Sequence, residues 1–210
     1  MPALIKKAAV IFLVVFIIYA LSYASGYTAG KLKWVDTNDL MKSPVLQLSR
    51  SLEYKVPGYG DLLRTYRNWH NKCRNAYLMT RNTWGLGTLI YINNVFAANL
   101  TMIIRALFIF PLALTIFSKF FQGVMFAQMP GSGRMLTIFV MEFGGYFLTI
   151  CGTLTLVLWT AFYKAFRFAA RKEAFLGGLK ILGLAYLLSA AGMLIGSILE
   201  TRLIFRMMGG

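Results

Sequence analysis

Residues 8–30 read AAVIFLVVFIIYALSYASGYTAG and contain no charged side chain. A helix of about 20 mostly apolar residues crosses the roughly 30 Å hydrocarbon core of a bilayer, so this stretch predicts a transmembrane helix. It is longer than the apolar core of a typical signal peptide, and we expect it to remain as a membrane span. The composition of the chain agrees with this, because 58% of the residues are hydrophobic and only 14% are charged. The sequence therefore predicts an integral membrane protein.

Four further apolar stretches are long enough to cross a bilayer. They cover residues 87–108, a third span that begins at Pro111 and ends before the turn at 129–134, then 143–163 and 181–199. Proline suits the first position of a helix, where its missing N–H costs nothing. The predicted fold is all-α, a polytopic membrane helix bundle of five transmembrane helices with an amphipathic helical pair between the first and the second. Its predicted parts are residues 1–30 (first transmembrane helix), 31–86 (basic amphipathic segment) and 87–210 (four-helix transmembrane bundle).

Positive charge sets the expected orientation in the membrane. Lys and Arg in short loops stay on the cytoplasmic side. We therefore place the N-terminus in the cytoplasm of a cell whose plasma membrane the chain spans, and the C-terminus outside. The residues that carry this prediction are Lys6, Lys7, Lys164, Arg167, Arg171, Lys172 and Lys180.

Residues 31–81 are the most basic part of the chain, and we expect them to lie outside the membrane. Ser43 followed by Pro44 predicts the start of one amphipathic helix, and Asp61 predicts the start of a second. In the second helix an apolar stripe of Leu62, Tyr66, Trp69, Cys73 and Ala76 is predicted. The predicted surface for anionic lipid or a partner protein consists of Arg64, Arg67, Trp69, Lys72 and Arg74. The alternative is that the stripe is buried against the first helix and the top of the bundle.

The +15 formal charge comes from 22 Lys and Arg against 7 Asp and Glu, and its distribution argues against nucleic acid as a partner. The basic residues are divided between the two membrane faces, and no nucleic-acid recognition fold fits the pattern. Seven acids and one histidine leave little for acid–base chemistry, and the chain contains no HExxH, P-loop or nucleophile elbow. We therefore expect no enzyme activity, no cofactor and no metal.

Two charges lie within predicted spans. Lys119 comes about 12 residues before the centre of the turn between the third and fourth spans, and Glu142 about 10 residues after it, an axial offset of roughly 3 Å. This spacing predicts an ion pair inside the bundle, since an isolated charge there is costly. A proton or ion path is the alternative role for the pair.

Amides and small residues also recur in the spans. Asn93, Asn94, Asn99 and Gln122 are predicted to form hydrogen bonds between helices. Glycines allow close helix contacts, and the predicted packing residues are Gly144, Gly145, Gly192 and Gly196. The spacing of Gly192 and Gly196 is also that of a dimerisation motif, so a homo-oligomer is possible on this pattern.

A family resemblance follows from these positions. The predicted architecture, five spans with a helical segment after the first, resembles that of the stage II sporulation protein M family. The residues that carry the resemblance are Asn93-Asn94, Gln122-Gly123, Glu142 with Gly144 and Gly145, and a fifth span that ends near Glu200. The resemblance implies a membrane scaffold that works with other membrane protein subunits.

The predicted function is accordingly a non-catalytic integral membrane scaffold, or an assembly or accessory subunit of a larger membrane protein complex. The alternative is a membrane component of a transporter or permease system. In that case Asn94, Lys119, Gln122 and Glu142 would line a polar path through the bundle.

Overall fold

The computed structural model describes residues 1–37, 42, 44, 58–107, 109–128 and 132–208, without the side chains of residues 59, 105, 109–118, 132–139, 142 and 143. These residues form helices joined by turns, and no strand occurs among them. The helices are α1 (Pro2–Lys31), α2 (Tyr59–Met79), α3 (Thr83–Ile92), a π-helical segment (Asn93–Ala98), α4 (Asn99–Ala106), α5 (Ile109–Gln128), α6 (Ser132–Ala161) and α7 (Arg171–Met207). The predicted first helix of the amphipathic pair, after Ser43, lies outside the described residues apart from Pro44.

Four of these helical stretches are long and apolar enough to cross a membrane: Pro2–Lys31, Thr83–Ile104, Gly144–Ala161 and Arg171–Met207. They correspond to the first, second, fourth and fifth predicted spans, so the prediction of a helical membrane protein is confirmed at this level. The predicted third span coincides with α5, a helix of 20 residues.

The long helices alternate in direction along the chain, as successive membrane crossings require. α1 and α5 run parallel, because Tyr19 lies beside Lys119 while Gly30 packs on Val124. α6 runs antiparallel to α1 and α7, and the α3–α4 stretch runs antiparallel to α7. The neighbouring pairs are Tyr19 with Phe147, Gly145 with Met193, Gly178 with Leu156, Gly87 with Thr201 and Asn99 with Ser189.

α1 and α5 make a very close contact through glycines. A Cβ atom added to Gly26 would collide with the backbone carbonyl of Phe120, and one added to Gly123 with the carbonyl of Tyr23. Glycine at these positions lets the two backbones touch, which maximises dispersion contacts where lipid offers no hydrophobic driving force. Beyond the helix ends, Gln128 donates to the Val35 carbonyl at 2.8 Å and holds the chain that leaves α1.

An apolar core lies where α1, α4, α6 and α7 meet. Phe147, which is half-buried, packs against this core with its ring edge-to-face to those of Phe12, Phe16 and Tyr19 at centroid separations of 5.9–6.3 Å. Towards the basic end, Trp159 is fully buried against Phe168, 5.0 Å between ring centroids. This core therefore joins α1 and α4 to α6 and α7.

Several helix boundaries differ from the sequence prediction. α6 begins at Ser132, so residues 132–134 of the predicted turn are helical and the helix starts well before the predicted fourth span at 143. The second span begins at Thr83 rather than near residue 87, because the Asn82 side chain caps the helix and accepts the Gly85 N–H at 2.8 Å. α7 begins at Arg171, so residues 171–180, which precede the predicted fifth span at 181–199, are already helical. There the Glu173 carboxylate accepts the Ala169 N–H at 3.0 Å and satisfies one backbone donor at the helix start.

Candidate functional site

The π-helical segment Asn93–Ala98 is the irregular part of the second span. Its wider turns change the backbone hydrogen-bond pattern, and such segments often occur at functional sites. Here the Tyr186 hydroxyl of α7 donates to the Val95 carbonyl at 2.7 Å. The π-helical segment is therefore tied to α7 by a hydrogen bond to its backbone.

The paired asparagines of this segment connect α2 to α6. The Tyr66 hydroxyl on α2 donates to Asn93 Oδ1 at 3.4 Å, and Asn93 Nδ2 donates to Asn94 Oδ1 at 3.3 Å. Asn94 Oδ1 also accepts the Tyr146 hydroxyl of α6 at 3.1 Å. This line of side chains runs from the surface of the bundle to its interior, because Tyr66 is half-buried and Asn94 is buried.

Asn99 is the centre of a second, fully buried polar contact. Its Oδ1 accepts the Thr149 hydroxyl of α6 at 3.0 Å, and its Nδ2 donates to Ser189 Oγ of α7 at 3.0 Å. Met193 Sδ lies 3.6 Å from the same nitrogen. One amide thus joins three helices, which is the role predicted for these asparagines.

The four predicted packing glycines occupy different environments. A Cβ on Gly145 would lie 2.9 Å from Met193 Cε and 3.0 Å from Ser189 Oγ, so this glycine makes room for the Asn99 contact. Gly144 is exposed with nothing within 4 Å of an added Cβ, and Gly192 has only the Met141 carbonyl, at 3.5 Å. Gly196 is buried. The prediction that Gly144 is a close-packing residue is therefore wrong, because Gly144 lies on the outer face of α6.

α2 docks along the side of the second span and runs antiparallel to it. Leu63 is 7% exposed and lies with Tyr66 beside Ala97 and Met102. The face of α2 that is turned inward carries buried Leu63 and half-buried Tyr66, His70, Cys73 and Tyr77. The predicted stripe is therefore rotated, and Leu62 and Trp69 are 60% and 47% exposed. The π-helical segment lies against Leu63 and Tyr66, and this contact selects which face of α2 is buried.

The predicted basic residues of α2 all stay exposed. Arg64, Arg67, Lys72 and Arg74, together with Trp69, form what we call the α2 basic surface. Since α2 reaches Ala97 and Ile103 of the second span, this surface extends alongside the span and not only beyond its end. Burial raises the pKa of Tyr66. Burial also lowers the pKa of His70, an effect that a hydrogen bond with Asn71 opposes and the charge of Arg74 reinforces.

Cavities separate α2 from the bundle. One of about 440 Å³ is lined by Leu62, Phe96, Leu100 and Tyr186, among others. A second, of about 220 Å³, is lined in part by Arg67, Asn93 and Thr101. The docking of α2 is thus loose around Leu63 and Tyr66, with a small, partly polar pocket at its edge, whereas Tyr77 packs closely on Gly85 near the end of the helix.

Lys119 is buried, at 3% exposure, and its Nζ lies 5.3 Å from the centre of the Tyr19 ring. The Glu142 side chain lies outside the described residues, so the predicted ion pair remains a prediction. Gln122 is half-buried on α5, and its Oε1 finds no hydrogen-bond partner among the described residues. The structure places Gln122 and Lys119 on α5 and the asparagines on the second span, in separate contacts.

Sequence reasoning missed several residues of this site. The sequence predicts Tyr66 only as part of an apolar stripe, and it predicts no role for Tyr146, Thr149, Tyr186 or Ser189. Their hydroxyls leave no periodic signal in an apolar helix. Gly26 and Gly30 did carry a signal, because their spacing is that of a close-contact motif.

The described residues contain no group of three His, Cys, Asp or Glu side chains that could hold a metal ion. Comparisons with protein families, with curated proteins and with solved structures found no match for this chain.

Proposed function

We propose that this chain is a five-span integral membrane protein of the cell membrane that acts as a non-catalytic scaffold or assembly subunit. In this proposal it holds an acidic surface of a partner membrane protein against the α2 basic surface. The N-terminus faces the cytoplasm and the C-terminus faces outward. The resemblance to the stage II sporulation protein M family supports the same class of function.

The observation that carries the proposal is the position of the α2 basic surface. Arg64, Arg67, Lys72 and Arg74 are exposed on a helix that lies alongside an apolar span. Cations at membrane depth are costly in lipid and are normally satisfied by protein or by water. Acidic side chains of a partner would satisfy Arg64, Lys72 and Arg74, and the whole chain has seven Asp and Glu against 22 Lys and Arg.

The buried polar contacts support a scaffold in a second way. Asn99 bonds two other helices, and Asn94 accepts from Tyr146 of α6. Interhelical hydrogen bonds of this kind stabilise a membrane bundle by about 0.6–2 kcal/mol each. They hold the second span in one position, and α2 is docked on that span.

A membrane component of a transporter is the second function we propose to test. The pocket of about 220 Å³ beside Arg67, Asn93 and Thr101 supports it, because polar groups open there onto the edge of the second span. In a transporter the α2 basic surface would line a water-filled pathway instead of a protein interface.

One experiment separates the two functions. A photo-reactive amino acid replaces Trp69 in the tagged full-length chain, in its own cell membrane, and cross-linked products are identified after purification in mild detergent. We expect a partner protein at fixed stoichiometry, which is lost in an Arg64→Glu/Lys72→Glu/Arg74→Glu variant. A Lys164→Glu/Lys172→Glu variant is the matched control at the other basic cluster and should keep the partner.

Cross-linking to lipid alone at position 69 would contradict the scaffold proposal. The transporter is tested with the same purified chain in liposomes. Solute flux there that falls in the Arg67→Gln variant, with no partner captured, would establish the second function instead.

A further inference from the structure

An apolar groove of about 580 Å³ runs along the outside of the bundle between α1, α6 and α7. Ala9 and Leu13 form one wall, Leu184 and Leu188 form the other, and Phe147 forms part of the floor. Leu13 and Leu188 are exposed, so the groove opens towards the surroundings of the bundle. Its lining consists of apolar side chains, which suits a hydrocarbon chain.

The groove has the length of one membrane leaflet. On α1 it extends from Ile5 to Phe16. At a rise of 1.5 Å per residue this is about 16 Å. The hydrocarbon core of a bilayer is roughly 30 Å thick, so the groove covers about half of it. An acyl chain of a lipid in that leaflet would lie along the groove from end to end.

Two lysines adjoin the lining at one end of the groove, since Lys6 follows Ile5 and Lys180 precedes Ile181. Leu4 lies 3.4 Å from the position of a Cβ on Gly177, which brings the start of α1 level with the first turns of α7. Lys6 and Lys180 follow these contacts on their helices and are both exposed. Lys7 points elsewhere, with its Nζ 4.1 Å from the centre of the Phe168 ring and 3.5 Å from the Arg167 carbonyl.

We propose that this groove binds one anionic phospholipid, with an acyl chain along Ala9 and Leu184 and the phosphate held by Lys6 and Lys180. The charge at the mouth selects an anionic lipid over a zwitterionic one, since each lysine near a membrane surface favours anionic lipid by a measurable amount. A hydrophobic partner helix would need no pair of lysines at that end. The site is independent of the α2 basic surface and of the function proposed for it.

The test uses native mass spectrometry of the purified, delipidated full-length chain after addition of phosphatidylglycerol or phosphatidylcholine. We expect one tightly bound phosphatidylglycerol and at least tenfold weaker binding of phosphatidylcholine. Lys6→Gln/Lys180→Gln should weaken phosphatidylglycerol binding roughly thirtyfold. Lys164→Gln/Lys172→Gln, which removes two lysines of the same end away from the groove, should leave it unchanged.

A second pair of variants tests the groove itself. Leu184→Trp fills it and should abolish binding, whereas Leu187→Trp, at an exposed position outside the groove lining, should not. Equal binding of both lipids, or equal effects of the two lysine pairs, would overturn the proposal. A wild-type dimer that Leu184→Trp dissociates without loss of lipid would assign the groove to a second copy of this chain.

Discussion

The contact between α1 and α5 and the docking of α2 on the second span use opposite means to hold a helix. α1 and α5 touch backbone to backbone at Gly26 and Gly123. Among the described residues, α2 is held by buried Leu63, by a long hydrogen bond from Tyr66 and by Tyr77 against Gly85, and it adjoins cavities of about 440 and 220 Å³. The α1–α5 contact fixes the two helices relative to each other, whereas the docking of α2 leaves this helix able to move or to bind a partner. Loosely packed elements open at lower free energy than the core.

The largest expected effect is at the tight contact. Gly26→Ala places a methyl group against the backbone carbonyl of Phe120. Because a backbone carbonyl cannot rotate away as a side chain can, the two helices must separate. We expect a loss of about 3 kcal/mol in the free energy of unfolding. Gly144→Ala is the control, since nothing lies within 4 Å of its added Cβ, and it should gain about 0.5–1 kcal/mol from helix propensity. Unfolding titrations with SDS in mixed micelles measure both, and equal effects would show that α1 and α5 do not touch through glycine.

Removing the buried anchor of α2 should undock that helix and spare the bundle. Leu63→Ala is expected to cost about 2 kcal/mol of docking free energy, towards the low end for a buried leucine because cavities already adjoin it. Leu62→Ala, its exposed neighbour, should cost less than about 0.5 kcal/mol. Hydrogen exchange of α2 amides measures the docking. If α1 and α5 lost protection together with α2, the two contacts would form one cooperative unit.

The hydrogen bond of Tyr66 should contribute less than the leucine. Tyr66→Phe keeps the ring and removes the hydroxyl that reaches Asn93 at 3.4 Å. We expect a cost of about 0.5 kcal/mol, at the weak end for hydrogen bonds because of that distance. Faster exchange confined to α2 and to residues 93–98 would agree with this. An effect as large as that of Leu63→Ala would mean that polar contacts, not apolar ones, hold α2.

The smallest effect is a pH dependence of α2 docking. Burial lowers the pKa of His70 in the folded chain, so the docked state favours neutral imidazole. The contribution of His70 to the docking free energy is fully present above the pKa of histidine in the unfolded chain, about 6.5, and is lost as the pH falls below that value. His70 is the chain's one histidine, so His70→Gln is a clean control. Protection of α2 should fall between pH 7.5 and 5.5 in the wild type and not in the variant.

The helical membrane fold was accessible from the sequence because charge-free runs of adequate length leave few alternatives in a bilayer. The asparagines were also identifiable, since polar residues in an apolar helix stand out. The buried face of α2 was not, because periodicity fits both a stripe through Leu62 and one through Leu63, and the choice depends on where the second span lies. The π-helical segment was equally hidden, since its wider turns have no composition of their own.

The parallel arrangement of α1 and α5 has a consequence for biosynthesis. The hydrogen bond from Gln128 to Val35 joins positions 93 residues apart, and the glycine contacts nearby are of similar range. At a translation rate of about 5–20 residues per second, α1 waits roughly 5–20 s for the helix on which it packs. During that time its glycine face is bare in the membrane and open to other small-residue helices. Before α5 is made, the same glycine face of α1 therefore offers a packing surface to the α1 helices of other newly inserted chains.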